Sequence, residues 1–172
     1  IGRAAGLFDQ LIVAVATAHH KKTLFSLQER IELAQAALKK IANIKVVAFD
    51  GLIMDCCTQH QATAVVRGVR NLTDFDYEAQ MAAMNRKLRP GVETIFLLPA
   101  ADVQCISSTL VREISKLKGD VKGMVGPAVA QALQVQRADA TLMLEAGGHG
   151  LVAGCPDDPV DAHVHPVRRG VG

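Results

Sequence analysis

The chain has 172 residues, of which 49% are apolar and 21% are charged. This length and composition suffice for one sizeable core. The formal net charge is only +2, which excludes the dense basic surface that duplex nucleic acid attracts. No apolar stretch approaches the roughly 20 residues that span a bilayer, and the four cysteines lack a Cys-x-x-Cys spacing. We therefore expect a cytoplasmic protein with no nucleic-acid partner, no membrane segment and no metal-binding cluster.

The first 135 residues alternate between short apolar runs and helical patterns. This rhythm predicts an α/β fold with a doubly wound, Rossmann-like parallel sheet. Ser26 and Glu29 form a capping box at the start of one helix, and Pro90 ends another. The predicted strands are residues 11–16, 44–49, 63–66 and 93–98, and the predicted helices are residues 26–40, 51–59, 74–88, 110–117 and 127–135.

The pattern changes at about residue 137. The rest of the chain is rich in Gly, Pro and His and shows no sustained period, a composition typical of loops or disorder. We therefore predict a folded domain at residues 1–136 and an irregular or disordered tail at residues 137–172. The opening IGRAAGLFD has the pattern of a helix end without a start signal, so we expect the chain to begin inside a longer domain.

The motif RGVR, residues 67–70, follows directly after an apolar strand. Two guanidiniums on either side of a glycine can hold phosphate oxygens in bidentate fashion, while Gly68 lets the backbone approach the ligand closely. A pair of solvated arginines at the end of a strand explains the same pattern. The motif alone therefore leaves both interpretations open.

Two further loops lie at the same predicted edge of the sheet, beyond the carboxyl ends of the strands, where ligands of such folds collect. Lys21 and Lys22 add positive charge after the first strand, although a lysine pair is usually solvated. The neighbouring His19 and His20 lack a third ligand at a suitable spacing, so we expect no metal there. The hydroxyls of residues 107–109 stand at a helix start, where they either form an anion site or simply cap the helix.

Three carboxylates, Asp74, Asp76 and Glu78, crowd the first turns of the helix after RGVR. The helix dipole stabilises negative charge at this position, so a structural role suffices for all three. Glu78 lies four residues after Asp74, on the same helix face and close behind the RGVR turn. We therefore expect Glu78 either to accept hydrogen bonds from a ligand ribose or to fix an arginine.

Six segments in order resemble one family. They are KKTLFSLQER, VVAFDGL, AVVRGVRNLTDFDYEAQMAAMNRKL, ETIFLLP, ISSTLVREISKLKGDV and PAVAQAL. In sequence and spacing they are similar to the bacterial phosphopantetheine adenylyltransferases, and the resemblance covers residues 1–135. The segments DFDYEAQMAAMNRKL and ISSTLVRE are specific to that family rather than to nucleotidyltransferases at large.

The resemblance implies a nucleotidyltransferase domain that transfers AMP from ATP to 4′-phosphopantetheine, giving dephospho-coenzyme A and pyrophosphate. It also implies Mg²⁺ as cofactor and a homohexamer. By position, Lys21, Ile53 and Arg67 would bind phosphopantetheine, and Lys21, Arg70 and Ser108 would neutralise charge at the reacting phosphate as catalytic residues. The implied ATP-binding residues are Gly68, Val69, Arg70, Glu78, Val103, Gln104, Cys105, Ile106, Ser107, Ser108 and Thr109.

The chain departs from the family pattern at its start. The family opens with a strand, a Gly-Thr-Phe-Asp-Pro turn and a helix that begins with Gly-His, and nothing before Ile1 supplies them. We therefore expect activity only when that segment is present. Two alternatives remain open: a non-catalytic remnant that binds a nucleotide or coenzyme A, and a nucleotidyltransferase with another acceptor, such as nicotinamide mononucleotide.

The absence of the family's first strand also has a consequence for stability. Its neighbours would expose unpaired N–H and C=O groups at the centre of the sheet, so we expect poor stability or aggregation. The tail from residue 152 is loosely similar to the family's opening. A circular permutation would explain this likeness, and a degenerate extension is the interpretation we favour.

Overall fold

The computed structural model describes residues 1–17, 23–146 and 162–167, with side chains for residues 1–17 and 23–137. The chain divides into two compact units, Ile1–Gln104 with Asp161–Gly172 (unit 1) and Cys105–Val160 (unit 2). The helices are α1 (Gly2–Ala5), α2 (Leu27–Leu38), α3 (Ile53–Gln59), α4 (Leu72–Leu88), α5 (Ser108–Lys116) and α6 (Pro127–Ala146). The strands are β1 (Gln10–Ala16), β2 (Ile44–Phe49), β3 (Ala64–Gly68), β4 (Glu93–Leu97) and β5 (Ala162–Val167).

The predicted α/β alternation is confirmed through α5. Strands β1 to β4 and helices α2 to α5 lie within two residues of their predicted bounds. Local signals account for this agreement. The Ser26 hydroxyl accepts a hydrogen bond from the N–H of Glu29, and the Glu29 carboxylate accepts one from the N–H of Ser26, which is the reciprocal bonding of a capping box.

The sheet of unit 1 has the strand order β2-β1-β5-β3-β4. Strand β1 pairs in parallel with β2, and β3 pairs in parallel with β4. Strand β5 lies between these two halves and runs antiparallel to both, with a register along β1 from Gln10↔Val167 to Val15↔Ala162. The centre of the sheet is therefore completed by residues from the far end of the chain.

The register explains how a central strand tolerates Pro166. The N–H of Leu11 donates to the carbonyl of Asn43, on the β2 side, at 2.8 Å. Because backbone directions alternate along a strand, the Leu11↔Pro166 pair is not hydrogen-bonded, and the backbone of Ile12 faces that of His165. Pro166 therefore lacks its donor on the β3 side, where the pairing within the described residues consists of Val66↔Val164.

Strand β1 forms the centre of the core of unit 1. Leu11, Val13 and Ala14 are completely buried, and the alternation of side chains along β1 places them in two clusters. Ala14 packs with residues of α3 and with Val65, whereas Leu11 and Val13 pack with α1 and Val66. A strand that is apolar on both faces is typical of a sheet covered on both sides.

Unit 2 contains α5 and α6, and Arg137 ties them together. Its guanidinium donates from Nε to the Ser115 hydroxyl at 2.9 Å and from Nη2 to the Gly119 carbonyl at 3.0 Å. Ser115 is buried, with 4% of its surface exposed. Residue 137, where we placed the start of the tail, is therefore part of the packed structure.

The prediction of an irregular tail at residues 137–172 is wrong over two segments. Helix α6 continues to Ala146, and residues Ala162–Val167 form β5. The low-periodicity composition misled the prediction, because one short strand held by backbone bonds needs no long apolar pattern. The other tail residues, including Cys155 and Asp158, lie outside the described residues.

The premise of the stability prediction is also wrong, because β5 occupies the central position that we expected to be empty. The stability itself stays a prediction. The antiparallel direction of β5 further disfavours a circular permutation, since a permuted family strand would run parallel to its neighbours.

We predict that the backbone donor of residue 165 stabilises the sheet. His165→Pro removes the N–H that faces β1, so the free energy of unfolding should fall by about 2–3 kcal/mol relative to wild type. His165→Ala removes the same imidazole but keeps the N–H and serves as the matched control. Urea denaturation of the two variants measures the difference, and equal unfolding midpoints would contradict the pairing of β5 with β1.

Candidate functional site

A bidentate ion pair joins the end of β3 to the first turns of α4. The Arg67 guanidinium donates from Nε to Glu78 Oε2 at 2.7 Å and from Nη2 to Oε1 at 2.5 Å. The two side chains are only 15% and 12% exposed. Of the two roles expected for Glu78, the structure therefore places it against an arginine, with both carboxylate oxygens engaged.

A second ion pair lies one helix turn earlier. Arg70 donates from Nε to Asp74 Oδ2 at 2.8 Å and from Nη2 to Oδ1 at 3.2 Å, and its backbone N–H reaches Oδ2 at 3.2 Å. The side chain of Asn71 caps α4 by accepting the N–H of Asp74 at 2.8 Å. The carbonyl of Arg70 accepts a hydrogen bond from Gln104 Nε2 at 3.0 Å. Arg70 is thus held at its N–H, its carbonyl and its guanidinium.

The electrostatics of this second pair favour its charged form. Hydrogen bonding from Arg70 lowers the pKa of the Asp74 carboxyl below its ordinary value, and the same bonds raise the pKa of Arg70. The contribution of a carboxyl with a lowered pKa to stability is complete above its unfolded pKa and is lost as the pH falls through the folded value. The stabilisation that this pair contributes is therefore complete near neutral pH and is lost in acid.

Gly68 and Val69 connect the two arginines and have different structural roles. A Cβ added at Gly68 would meet open space, with nothing within 4 Å, so a ligand can approach the backbone there. Val69 is buried, at 4% exposure, and its N–H donates to the Leu97 carbonyl at 3.1 Å. Val69 shapes the turn by packing, and its amide is used inside the sheet.

The remaining predicted residues of unit 1 differ in their relation to this cluster; they are Ile53, Val103 and Gln104. Ile53 begins α3 and is buried, at 9% exposure, in the core cluster with Ala14 and Val65, so its local role is packing. Val103 ends a short 3₁₀ helix, Ala101–Val103, and is 43% exposed. Gln104 reaches the RGVR turn through its bond to the Arg70 carbonyl.

Unit 2 contains the other predicted loop, around the start of α5. Ser107 is the N-cap, and its hydroxyl accepts the N–H of Leu110 at 3.2 Å. Thr109 accepts a hydrogen bond from Arg112 Nη2 at 3.5 Å. Ile106, Ser107, Ser108 and Thr109 are half-buried, and Cys105 is an exposed free thiol. The ordinary capping role of Ser107 is present, whereas the role of this loop in anion binding stays a prediction.

Lys21, together with Lys22, His19 and His20, lies outside the described residues. Across the described part of the chain, no three His, Cys, Asp or Glu side chains are grouped so that they could hold a metal ion. In the same part, no helix is both long and apolar enough to cross a membrane.

Sequence reasoning missed Asp74. We assigned it only a helix-dipole role, yet its carboxylate accepts three bonds from Arg70. The spacing of four residues between Arg70 and Asp74 was the available signal. It was not decisive, because Asn71, rather than residue 70, begins the helix as its N-cap.

The two ion pairs have a formal net charge of zero, because the two arginines are balanced by Asp74 and Glu78. Both guanidiniums already contact a carboxylate, so an anion at this turn would be recognised by directed N–H groups more than by excess positive charge. Pairing of this kind fixes the arginines before a ligand arrives, which reduces the ordering cost of binding.

We predict that the Arg67–Glu78 pair contributes to stability through its burial. Glu78→Gln removes the charge opposite Arg67 and should lower the free energy of unfolding by about 1–3 kcal/mol. The Arg86–Glu93 pair, with exposures of 64% and 57%, provides the control: Glu93→Gln should change stability by less than about 1 kcal/mol. Urea denaturation measures both, and equal effects of the two substitutions would contradict the prediction.

Comparisons with known proteins bear on this cluster. The cytidylyltransferase-like family matches residues 1–114. The phosphopantetheine adenylyltransferase of Acidovorax sp. strain JS42 is 57% identical over 133 residues, which cover 77% of this chain and 81% of the relative. The enzymes of the same name from Aromatoleum aromaticum and Hahella chejuensis are 50% and 49% identical and are covered to 82% and 86% of their lengths. With its Rossmann-like α/β fold, the chain belongs to the phosphopantetheine adenylyltransferase family.

Proposed function

We propose that this chain transfers the adenylyl group of ATP to 4′-phosphopantetheine, giving dephospho-coenzyme A and pyrophosphate as a step of coenzyme A biosynthesis. The observation that carries the proposal is the open glycine turn at Gly68, held between two arginines that are each fixed by a carboxylate of α4. The names of the relatives described above support the choice of substrates.

The proposed reaction needs no covalent enzyme intermediate. An oxygen of the acceptor phosphate attacks the α-phosphorus of ATP, the new P–O bond forms, and the bond to pyrophosphate breaks with the electron pair leaving on its oxygen. Such a displacement is accelerated by in-line alignment and by neutralisation of charge on the phosphates. We assign this neutralisation to Lys21, Arg70 and Ser108.

The proposed binding residues divide by substrate. Lys21, Ile53 and Arg67 are assigned to 4′-phosphopantetheine. For Arg67 the bidentate contact to Glu78 supports a preset orientation, and for Ile53 burial supports a contribution through shape. The residues assigned to ATP are Gly68, Val69, Arg70, Glu78, Val103 and Gln104 of unit 1 and Cys105, Ile106, Ser107, Ser108 and Thr109 of unit 2.

Mg²⁺ fits this proposal as part of the substrate. The described residues offer no resident cage of three ligating side chains, and Asp74 and Glu78 both contact arginines. Mg²⁺ commonly keeps several waters and binds through substrate phosphates with few protein ligands. We therefore propose that Mg²⁺ enters as its complex with ATP and that it supplies further charge neutralisation there.

The proposed setting is the cytoplasm, and the proposed assembly is a homohexamer. Both rest on the family to which the chain belongs. Size-exclusion chromatography with light scattering measures the mass of the assembly directly.

We predict that this chain, joined to the family's opening strand and Gly-His segment, releases pyrophosphate from ATP in the presence of 4′-phosphopantetheine and Mg²⁺. A coupled pyrophosphate assay measures turnover, and parallel reactions with nicotinamide mononucleotide test another acceptor. Calorimetry with ATP and with each acceptor accompanies the assay. Binding of both substrates without turnover would replace the proposal with a non-catalytic binding role, and turnover with nicotinamide mononucleotide alone would refute the assigned acceptor.

We further predict that Gly68→Ala weakens ATP binding without loss of stability. The added Cβ meets open space in the free protein, so the unfolding midpoint should not fall, whereas a ligand lying against the backbone would be displaced. We expect a loss of about tenfold or more in ATP affinity, equivalent to about 1.4 kcal/mol. Gly91→Ala, where a Cβ also meets nothing within 4 Å, is the control and should bind ATP as the wild type does.

A further inference from the structure

We infer that Asp74 is the positioning residue for Arg70, and that the orientation it gives to this guanidinium raises the affinity of the turn for the triphosphate of ATP. This inference rests on the proposed function and deepens it. Asp74 itself is not assigned to contact either substrate.

The geometry of the carboxylate carries the inference. One oxygen of Asp74, Oδ2, accepts both the Nε–H and the backbone N–H of Arg70, while Oδ1 accepts from Nη2. A single side chain thus holds both the start and the end of the arginine. An arginine has several rotatable side-chain bonds, so fixing it in one rotamer before ATP arrives removes part of the ordering cost of binding.

The position of Asp74 is itself determined by the fold. Its N–H is bound by the Asn71 side chain at the start of α4, and α4 packs on β4 through the edge-to-face contact of Phe75 and Phe96, with ring centroids 5.5 Å apart. The Gln104 side chain holds the Arg70 carbonyl from the opposite end of the residue. Asp74 therefore has a defined position on α4 from which it can orient Arg70.

Arg67 provides an internal comparison. It is bound by Glu78 through the guanidinium, and the two side chains are 15% and 12% exposed. Arg70 is 37% exposed, so it can contact a ligand while it remains bound to Asp74. The more exposed arginine is the one whose orientation depends most on its carboxylate partner, because less packing surrounds it.

The chain offers a matched control at Asp76, which lies two residues further along α4 and is exposed. Asp74→Asn and Asp76→Asn each remove one negative charge near the start of the same helix and are nearly isosteric. Only Asp74→Asn removes the carboxylate that binds the Arg70 guanidinium. Asp74→Glu keeps a carboxylate at this position on a longer side chain, and it tests whether that carboxylate can replace the one of Asp74.

The experiment measures ATP and 4′-phosphopantetheine affinity by calorimetry for the wild type and the three variants. Asp74→Asn should weaken ATP binding about tenfold, with 4′-phosphopantetheine binding unchanged, whereas Asp76→Asn should bind both substrates as the wild type does. Asp74→Glu should recover part of the loss. A merely structural role would weaken both substrates together.

An NMR measurement tests, in the absence of substrate, whether Asp74 positions Arg70. The Nε–H of Arg70 should exchange slowly with solvent in the wild type and in Asp76→Asn, and clearly faster in Asp74→Asn. Equal exchange in all three proteins would overturn the inference, as would wild-type ATP affinity in Asp74→Asn or an equal loss in Asp76→Asn. If the wild type binds no ATP, the proposed function fails while the exchange rates still test the role of Asp74.

Discussion

The sheet of this protein depends on one set of backbone hydrogen bonds, those between β1 and β5. Strand β1 is apolar on both faces and completely buried at Leu11, Val13 and Ala14, so any backbone group left unpaired along it would have no water to bond. Strand β2 satisfies one edge, and β5 satisfies the other while reaching β3. The two parallel halves of the sheet, and the core clusters packed on them, meet through this antiparallel strand.

The sequence predicted those elements whose signals are local. The capping box at Ser26, the apolar runs of β1 to β4 and Pro90 after α4 act over a few residues, and each defined an element to within two residues. Strand β5 could not be predicted in this way. Its partner Ile12 lies far away in the chain, and the pairing is made by backbone groups that every residue type except proline carries.

The candidate site was predictable in its residue types but not in its pairings. The spacing of RGVR and of the carboxylates after it identified the cluster, yet left solvated arginines and a phosphate-binding turn equally open. The structure adds that each arginine is fixed by a carboxylate one helix turn apart on α4, Arg70 by Asp74 and Arg67 by Glu78. Which carboxylate meets which arginine depends on the path of the chain between β3 and α4, and Asn71 determines that path by capping the helix.

The position of β5 also constrains how the protein is made. Strand β1 leaves the ribosome before the other strands of the sheet, and Ala162–Val167 emerge last among the described residues. Until then one edge of the most apolar strand has no partner, and pairing over such a long sequence separation is slow. The nascent polypeptide therefore carries an open, aggregation-prone strand edge along β1 until β5 has been synthesised.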